Sequence, residues 1–491
     1  MSDRHLDRRA LLLSGAGIAS AAAVLRFDPA AAGSTVTKKF KGRFTPANKA
    51  DWHYLPFDVP RGVREVRVSY RYPDPIPGPG YSSNVIDIGI FDSSGNGLGN
   101  AAGFRGWSGG ARKSFRLSRT SATPGYLAGP ISPGRWKVAL GPYQIVSPVD
   151  YEVRVTLVFG PRGPAFVPTP APTSATPPEP KSWWRGDLHI HTVHSDGSQT
   201  QTDVLTDARA AGLDFIGSAD HNTDSAQLTW GSYVEDDFLV IAGEEVTTRA
   251  GHWVATGLPA GTWVDWRYRP EDDKLADFTQ LVRDLGGLAI AAHPDIGVPS
   301  IRWDFDPSFA EMDAVEVWNG PWDGFDGATV TRWVNLLNNG TYKPAVGNSD
   351  SHNRSQTVGL PQNVVRAGSL STTAIIEALR AGHSWIAESS AVDLDFSATL
   401  DDVSGECGDH VPSSAGDQVA VHLEVTGVPG CTAFLYGPRA SYGKAAADES
   451  GRIVFDRTVP GGTAYVRAEV RRGTTPVDQL VALTNPIFLT A

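Results

Sequence analysis

Seven of the chain's twelve histidines fall between His189 and His352, and carboxylates accompany most of them. The series opens at Asp187-Leu188-His189-Ile190-His191, with two imidazoles at i and i+2. On a strand such residues share a face, so both can reach one metal ion. Asp196 follows in a Ser-Asp-Gly turn, then Asp220-His221, Glu244-Glu245, His252, His293-Pro294 and Asp350-Ser351-His352. Imidazole and carboxylate donors suit Zn, Mn or Fe better than Ca or Mg. A carboxylate can bridge two ions, and neighbouring ions can clamp the attacking and leaving oxygens of a hydrolysis. Each element alone is weak; the order of the set and its placement after strands carry the signal.

Such scattered donors meet only if the fold gathers strand ends. Short apolar runs at 214–217, 238–242, 288–292, 314–317 and 345–346 read as buried strands. Leu275, Phe278, Leu281, Val282 and Leu285 keep helical spacing, as do Val330, Trp333, Val334 and Leu337. Another helical pattern runs from Thr372 to Leu379, and glycines 212, 286, 340 and 382 stand where helices should stop. Strand–helix alternation predicts a parallel sheet or barrel, whose strand C-termini converge on one face.

Both flanks read differently. Residues 34–160 alternate polar and apolar between Gly and Pro clusters, as an antiparallel sandwich does. His53 is isolated there, and Trp52, Trp107 and Trp136 are expected in its core. Residues 161–182 form a stiff, proline-rich linker. Residues 390–491 return to β and are expected to form a small C-terminal sandwich. The expected whole is α/β, a barrel over 183–389 between two β domains.

The motif set resembles the PHP (polymerase and histidinol phosphatase) superfamily, and within it the exported CehA/McbA-like metallohydrolases. The resemblance covers Trp183 to about Ser389, extends loosely to Leu483-Thr484-Asn485-Pro486-Ile487, and leaves out 34–160. It implies a distorted (β/α)7 barrel with two or three divalent metals. His189, His191, Asp350 and a bridging Glu245 would hold the first. Glu245, His252 and His293 would hold the second, and Asp196, His221 and His352 the third. Glu245 is preferred to Glu244 because the family spacing is Gly-x-Glu. The implied chemistry is hydrolysis by a metal-bound hydroxide, with Asp350 orienting the water and His221 or His352 protonating the leaving group. A phosphoester is the favoured substrate, either a diester or a monoester. Arg354 is the first candidate for a phosphate contact, Arg249 a weaker one, and His194 a possible substrate neighbour. A carbamate or carboxylester hydrolase is the alternative, and a non-catalytic envelope-binding protein a third reading.

Net charge is −11, with no Lys/Arg block for a nucleic-acid backbone, so that partner is not expected. Arg8-Arg9 before the apolar stretch from Ala10 to Leu25, with Ala30-Ala31-Ala32 as a cleavage site, resembles a twin-arginine export signal spanning 1–33. The run is too short for a comfortable membrane anchor. The expected setting is therefore the periplasm, cell surface or exterior, with a small-molecule or envelope-derived ester as substrate. In that setting Cys407 and Cys431 are expected to pair as a disulfide.

Overall fold

The computed structural model describes residues 33–48, 52–73, 83–298 and 301–490. The twin-arginine motif and its apolar run lie outside the described residues. No helix among the described residues is long and apolar enough to cross a membrane.

The N-terminal region builds two four-stranded antiparallel sheets. One joins Thr35–Phe44, Val149–Phe159, Val63–Arg71 and Ser114–Ser118; the other joins His53–Val59, Gly134–Gln144, Val85–Phe91 and Phe104–Trp107. Alternating residues such as Val66, Val68, Ile88, Val138 and Val155 fill the space between them. Trp136 belongs to this core, whereas Trp107 sits in the neighbouring core shared with the rest of the chain.

Between Trp183 and Ala387 the strands belong to two sheets. In the first, Leu239–Ile241, Phe215–Ser218 and Trp183–Ile190 run parallel, and Gln362–Arg366 and Ser384–Ala387 continue antiparallel. In the second, Gly243–Thr248, Gly251–Thr256 and Leu288–Ala292 are antiparallel, and Ala314–Asn319 and Ala345–Asn348 extend it in parallel. Single bridges join the sheets at His221 with Glu245 and at Ile190 with Ser351. The expected alternation is thus met in part, in a mixed α/β fold richer in strand than seven strand–helix units would be. One reason is local: Thr248 and Gly251 close a tight antiparallel turn that needs no crossover helix.

Four helices cover this region: α1 Gln201–Ala210, α2 Leu275–Asp284, α3 Gly324–Asn338 and α4 Thr372–Ala381. Capping boxes at Thr200 and Asp323 start α1 and α3, and Gly382 in the left-handed conformation ends α4. The proline-rich segment is docked: Thr169 and Thr176 N–H groups donate to Leu228 and Asp236 carbonyls, and Ala175 N–H to Leu370.

The first sheet does not stop at residue 389. Ser384–Ala387 pairs with Gln479–Thr484, so the C-terminal strands extend it. A four-stranded sheet holding Asp393–Leu400 and Gln418–Thr426 packs on that extension through Phe396, Val421, Leu435 and Val470. Cys407 and Cys431 are buried in this core as free thiols, which corrects the expected disulfide. Burial pushes the Cys407 thiol above its usual range.

Candidate metal centre

All nine residues expected to bind metal converge at the end of the two sheets where the single bridges lie. Glu245 is the hub. Its Oε2 lies 2.7 Å from His221 Nδ1, 3.4 Å from His189 Nε2 and 3.5 Å from His191 Nε2. Its Oε1 lies 2.9 Å from His252 Nδ1 and 3.1 Å from His293 Nε2. Asp350 Oδ1 sits 3.0 Å from His191 Nε2, 3.4 Å from His189 Nε2 and 3.5 Å from His352 Nδ1. Asp196 Oδ1 lies 3.5 Å and 3.4 Å from the Nε2 atoms of His221 and His352.

Strand alternation decides between the paired glutamates. Glu245 faces the imidazoles, while Glu244 points the opposite way and accepts from Val264 N–H at 2.9 Å.

The donor set fits metal ions on two counts. Ligand bonds of about 2.1 Å place neighbouring donor atoms about 3.0 to 3.4 Å apart at right-angled or tetrahedral positions. Most separations here are of that size. Secondly, His189 Nε2, His191 Nε2, His252 Nε2, Glu245 Oε2 and Asp350 Oδ1 are buried without a hydrogen bond. Buried polar atoms are normally satisfied, and this many converging orphans call for a cation. Among the described residues the donors fall into four overlapping groupings that follow the expected sets only in part: His191 joins Asp196, His221 and His352; His189 and His191 meet Glu245; His293 falls with His189 and Asp350; and His221 joins Glu245 and His252.

Without an ion, the imidazoles and carboxylates balance one another's charge. Burial works against charge on Asp350 and Glu245, yet the surrounding imidazoles hold both well below the usual carboxylate range. Burial, with His352 and His221 alongside, pushes His191 down to about 4, leaving the neutral form that ligates. Burial also opposes charge on His221, but Glu245 and Asp196 override it and lift His221 to about 10. His293, Asp350 and Asn222 hold φ values of 29°, 49° and 55°. Left-handed backbone at non-glycine residues costs of order 1–3 kcal/mol each and concentrates at functional sites.

A cleft of about 470 Å³ opens over the cluster. Asp196, His221, Glu245, His252, His293, Asp350 and His352 form its floor. Its opposite wall comes from the N-terminal sandwich: Trp52, Val85, Asp87, Trp107 and Tyr143.

No family model and no curated protein matches the chain. Among solved structures, a two-domain Bacteroides vulgatus protein containing a predicted PHP-like metal-dependent phosphoesterase is 18% identical, with a TM-score of 0.35. The match covers 64% of this chain and 98% of that one. The chain is similar to a PHP-like protein. An amidohydrolase from Chromobacterium violaceum, with bound sulfate and no metal, is 17% identical over 35% of this chain and 89% of its own, with a TM-score of 0.28. Overlaps this partial carry no functional weight, and neither bears on the CehA/McbA-like branch.

Two expected substrate contacts lie elsewhere. Arg354 is exposed and reaches back to Asp203 Oδ1 at 2.5 Å, in the capping box of α1. His194 turns away from the cleft; its Nδ1 lies 2.9 Å from Ser225 Oγ, in a small pocket against Thr123 and Tyr126. Arg249 is the arginine the cleft contains, with its guanidinium over the rings of Trp52 and Tyr143 at 4.8 Å and 5.2 Å.

The sequence reading missed the residues that hold the ligands. Glu316 Oε1 accepts from Asn348 Nδ2 at 2.8 Å and lies 3.1 Å from His189 Nδ1. Its Oε2 accepts from the His293 N–H and from Asn319 Nδ2, both at 2.9 Å. Glu316 thereby fixes which His189 nitrogen faces the centre. Its signal was a carboxylate inside the apolar run Ala314-Val315-Glu316-Val317. Asp187 does not join the donors; it accepts from the Ser349 and Gly359 N–H groups and anchors the segments that follow two strands.

Proposed function

We propose that the chain is an exported metal-dependent hydrolase of the PHP type whose substrates are phosphoesters. The observation that carries this reading is the convergence of nine ligand-type residues, five of their buried atoms lacking hydrogen bonds, with seven of the nine on the floor of one cleft and His189 and His191 buried beneath it. His189, His191, Asp350 and Glu245 would hold one ion, Glu245 with His252 and His293 a second, and Asp196 with His221 and His352 a third. Bound there, divalent ions such as Zn, Mn or Fe would acidify water and neutralise charge on the ester oxygens.

The remaining tasks fall to the chain itself. Asp350 bears on His189, His191 and His352 at once and would orient the attacking water. Arg249 supplies a fixed cation in the cleft for a phosphate oxygen. The wall closes one side of the floor and limits water. Export rests on Arg8-Arg9 and the apolar run behind them. A carbamate or carboxylester remains a second reading, favoured by the aromatic wall of Trp52, Trp107 and Tyr143.

Assays of a phosphodiester, a phosphomonoester and an aryl carbamate after Mn, Zn or Fe reconstitution separate these readings. Phosphoester turnover that disappears in Asp350→Ala or His293→Ala supports the proposal. Wild-type rates in those variants, or turnover of the carbamate alone, would refute it.

A further inference from the structure

His221 and His352, the expected proton donors, are drawn into the ligand cluster. His221 and His352 both aim Nε2 at Asp196 Oδ1, and the other ring nitrogens face Glu245 and Asp350. With both rings engaged in the ligand cluster, a proton donor that holds no metal is better sought on the cleft wall.

The wall offers one carboxyl. Asp87 sits on Val85–Phe91, a strand of the N-terminal sandwich, and its side chain lines the same cleft as Asp196, His221 and Glu245. Its neighbours are small. Gly141 is its cross-strand partner, and a Cβ there would meet the Trp52 ring at 2.6 Å and Arg249 Nη2 at 3.1 Å. With no side chain at 141, ring and guanidinium lie against the sheet beside Asp87. Gly109 and Gly110 also line the cleft, and a Cβ on either would lie 3.7 or 3.9 Å from Asp87 Oδ1.

The sandwich that carries Asp87 is fixed to the metal-binding region. Phe104 stacks on Trp263 at 4.2 Å, and Trp107 packs on Trp266 at 4.6 Å. Arg267 donates to Tyr54 Oη at 2.6 Å and to the Asn96 carbonyl at 3.1 Å, while Asp265 accepts from Gly99 N–H at 2.8 Å. These contacts hold the two walls of the cleft in register.

We propose that Asp87, contributed by the N-terminal sandwich, is the catalytic acid that donates a proton to the leaving oxygen of a phosphoester held on the cleft floor. This rests on the phosphoesterase reading above. Water forms its bond to phosphorus, and the ester P–O bond breaks with its electron pair going to the leaving oxygen. The Asp87 proton goes to that oxygen. The carboxylate is then reprotonated from solvent, which receives the proton the water gave up, so ester and water become acid and alcohol. Burial lifts the Asp87 carboxyl to about 7; Arg249 and His221 pull it down, and Asp196 pushes it up. No hydrogen bond contributes to that shift. Tyr70 is the remaining titratable group that senses its charge. What carries the assignment is position: Asp87 holds no metal and lines the same cleft as the ligand cluster.

The test compares Asp87→Asn and Asp87→Ala with the wild type on two phosphoesters of equal charge. One has a p-nitrophenolate leaving group, which leaves without a proton; the other has an alkyl alcohol, which needs one. Metal content and thermal melting are recorded for each protein. The expected result is unchanged metal content, a kcat loss of roughly 100-fold or more on the alkyl ester, and less than about 10-fold on the p-nitrophenyl ester. Equal losses on both esters, lost metal, or no loss would overturn the assignment while the phosphoesterase reading stands. If the wild type hydrolyses neither ester, that reading fails and takes this one with it. If one variant does not fold, the other carries the comparison; if neither folds, Asp87 is structural and the assignment falls.

Discussion

Glu316→Gln removes one charge beside the centre and leaves shape and volume nearly unchanged. Four donors surround this carboxylate: His189 Nδ1, Asn348 Nδ2, Asn319 Nδ2 and the His293 N–H. A glutamine offers one acceptor oxygen and one amide that is itself a donor. Turned toward His293 and Asn319, its oxygen leaves the amide opposing His189 Nδ1, which must shed its proton and move it to the Nε2 that should ligate. Turned the other way, the amide opposes the His293 N–H, which cannot rotate. Asn348 has no freedom to compensate, because its Oδ1 already accepts from Leu188 N–H at 2.8 Å and Asn363 Nδ2 at 2.9 Å. A buried donor left unpaired costs about 1–3 kcal/mol. Loss of a group that orients a metal ligand weakens metal binding roughly 10- to 100-fold, which is about 1.4–2.7 kcal/mol. The two routes agree. Metal affinity measured by competition with a chelator should fall by that factor, with activity recovering at high metal. Wild-type affinity in Glu316→Gln would refute the role given to this residue.

Other expectations concern regions farther from the floor. Arg354→Ala should change kcat/KM and melting little, within about 0.5 kcal/mol, because the side chain is exposed and reaches only Asp203; a large kcat/KM loss would restore it as a phosphate contact. Cys407 and Cys431 should react with a thiol reagent only after unfolding, and reducing agent should leave the melting temperature unchanged. Burial opposes charge on Glu469, but Arg467 and Arg471 on either side overcome it and hold the carboxyl below its ordinary value of 4.5. A depressed folded value means this contribution is full above 4.5 and drains as pH falls further. Glu469→Gln, which breaks a buried charge cluster, should cost about 3–5 kcal/mol near neutrality. It should also flatten the loss of stability in acid urea titrations; a parallel curve would contradict the assignment.

Strand periodicity and residue type made a gathering of donors legible, and the resemblance to the PHP superfamily supplied the particular set. His189 and His191 share a face by the pleat alone, and the Gly-x-Glu spacing selected Glu245. What escaped depends on contacts between distant segments. Arg354 is two residues beyond His352, yet the turn there sends it to the cap of α1, while Arg249 enters the cleft from the turn after Gly243–Thr248. Asp87 carries no motif, and only the docking of the sandwich through Phe104 and Trp107 brings it over the site. The even alternation of strands and helices failed in several places: Thr248 and Gly251 turn the chain straight back, and no α-helix separates Phe215–Ser218 from Leu239–Ile241, Leu239–Ile241 from Gly243–Thr248, or Ala345–Asn348 from Gln362–Arg366.

The most direct test of the metal centre is the metal content of protein purified without chelator, compared between wild type and Glu245→Gln by elemental analysis. Two or three transition-metal ions per chain in the wild type, falling sharply in the variant, is the predicted result. A folded wild-type protein that binds no transition metal, even after incubation with Mn, Zn or Fe, would contradict it.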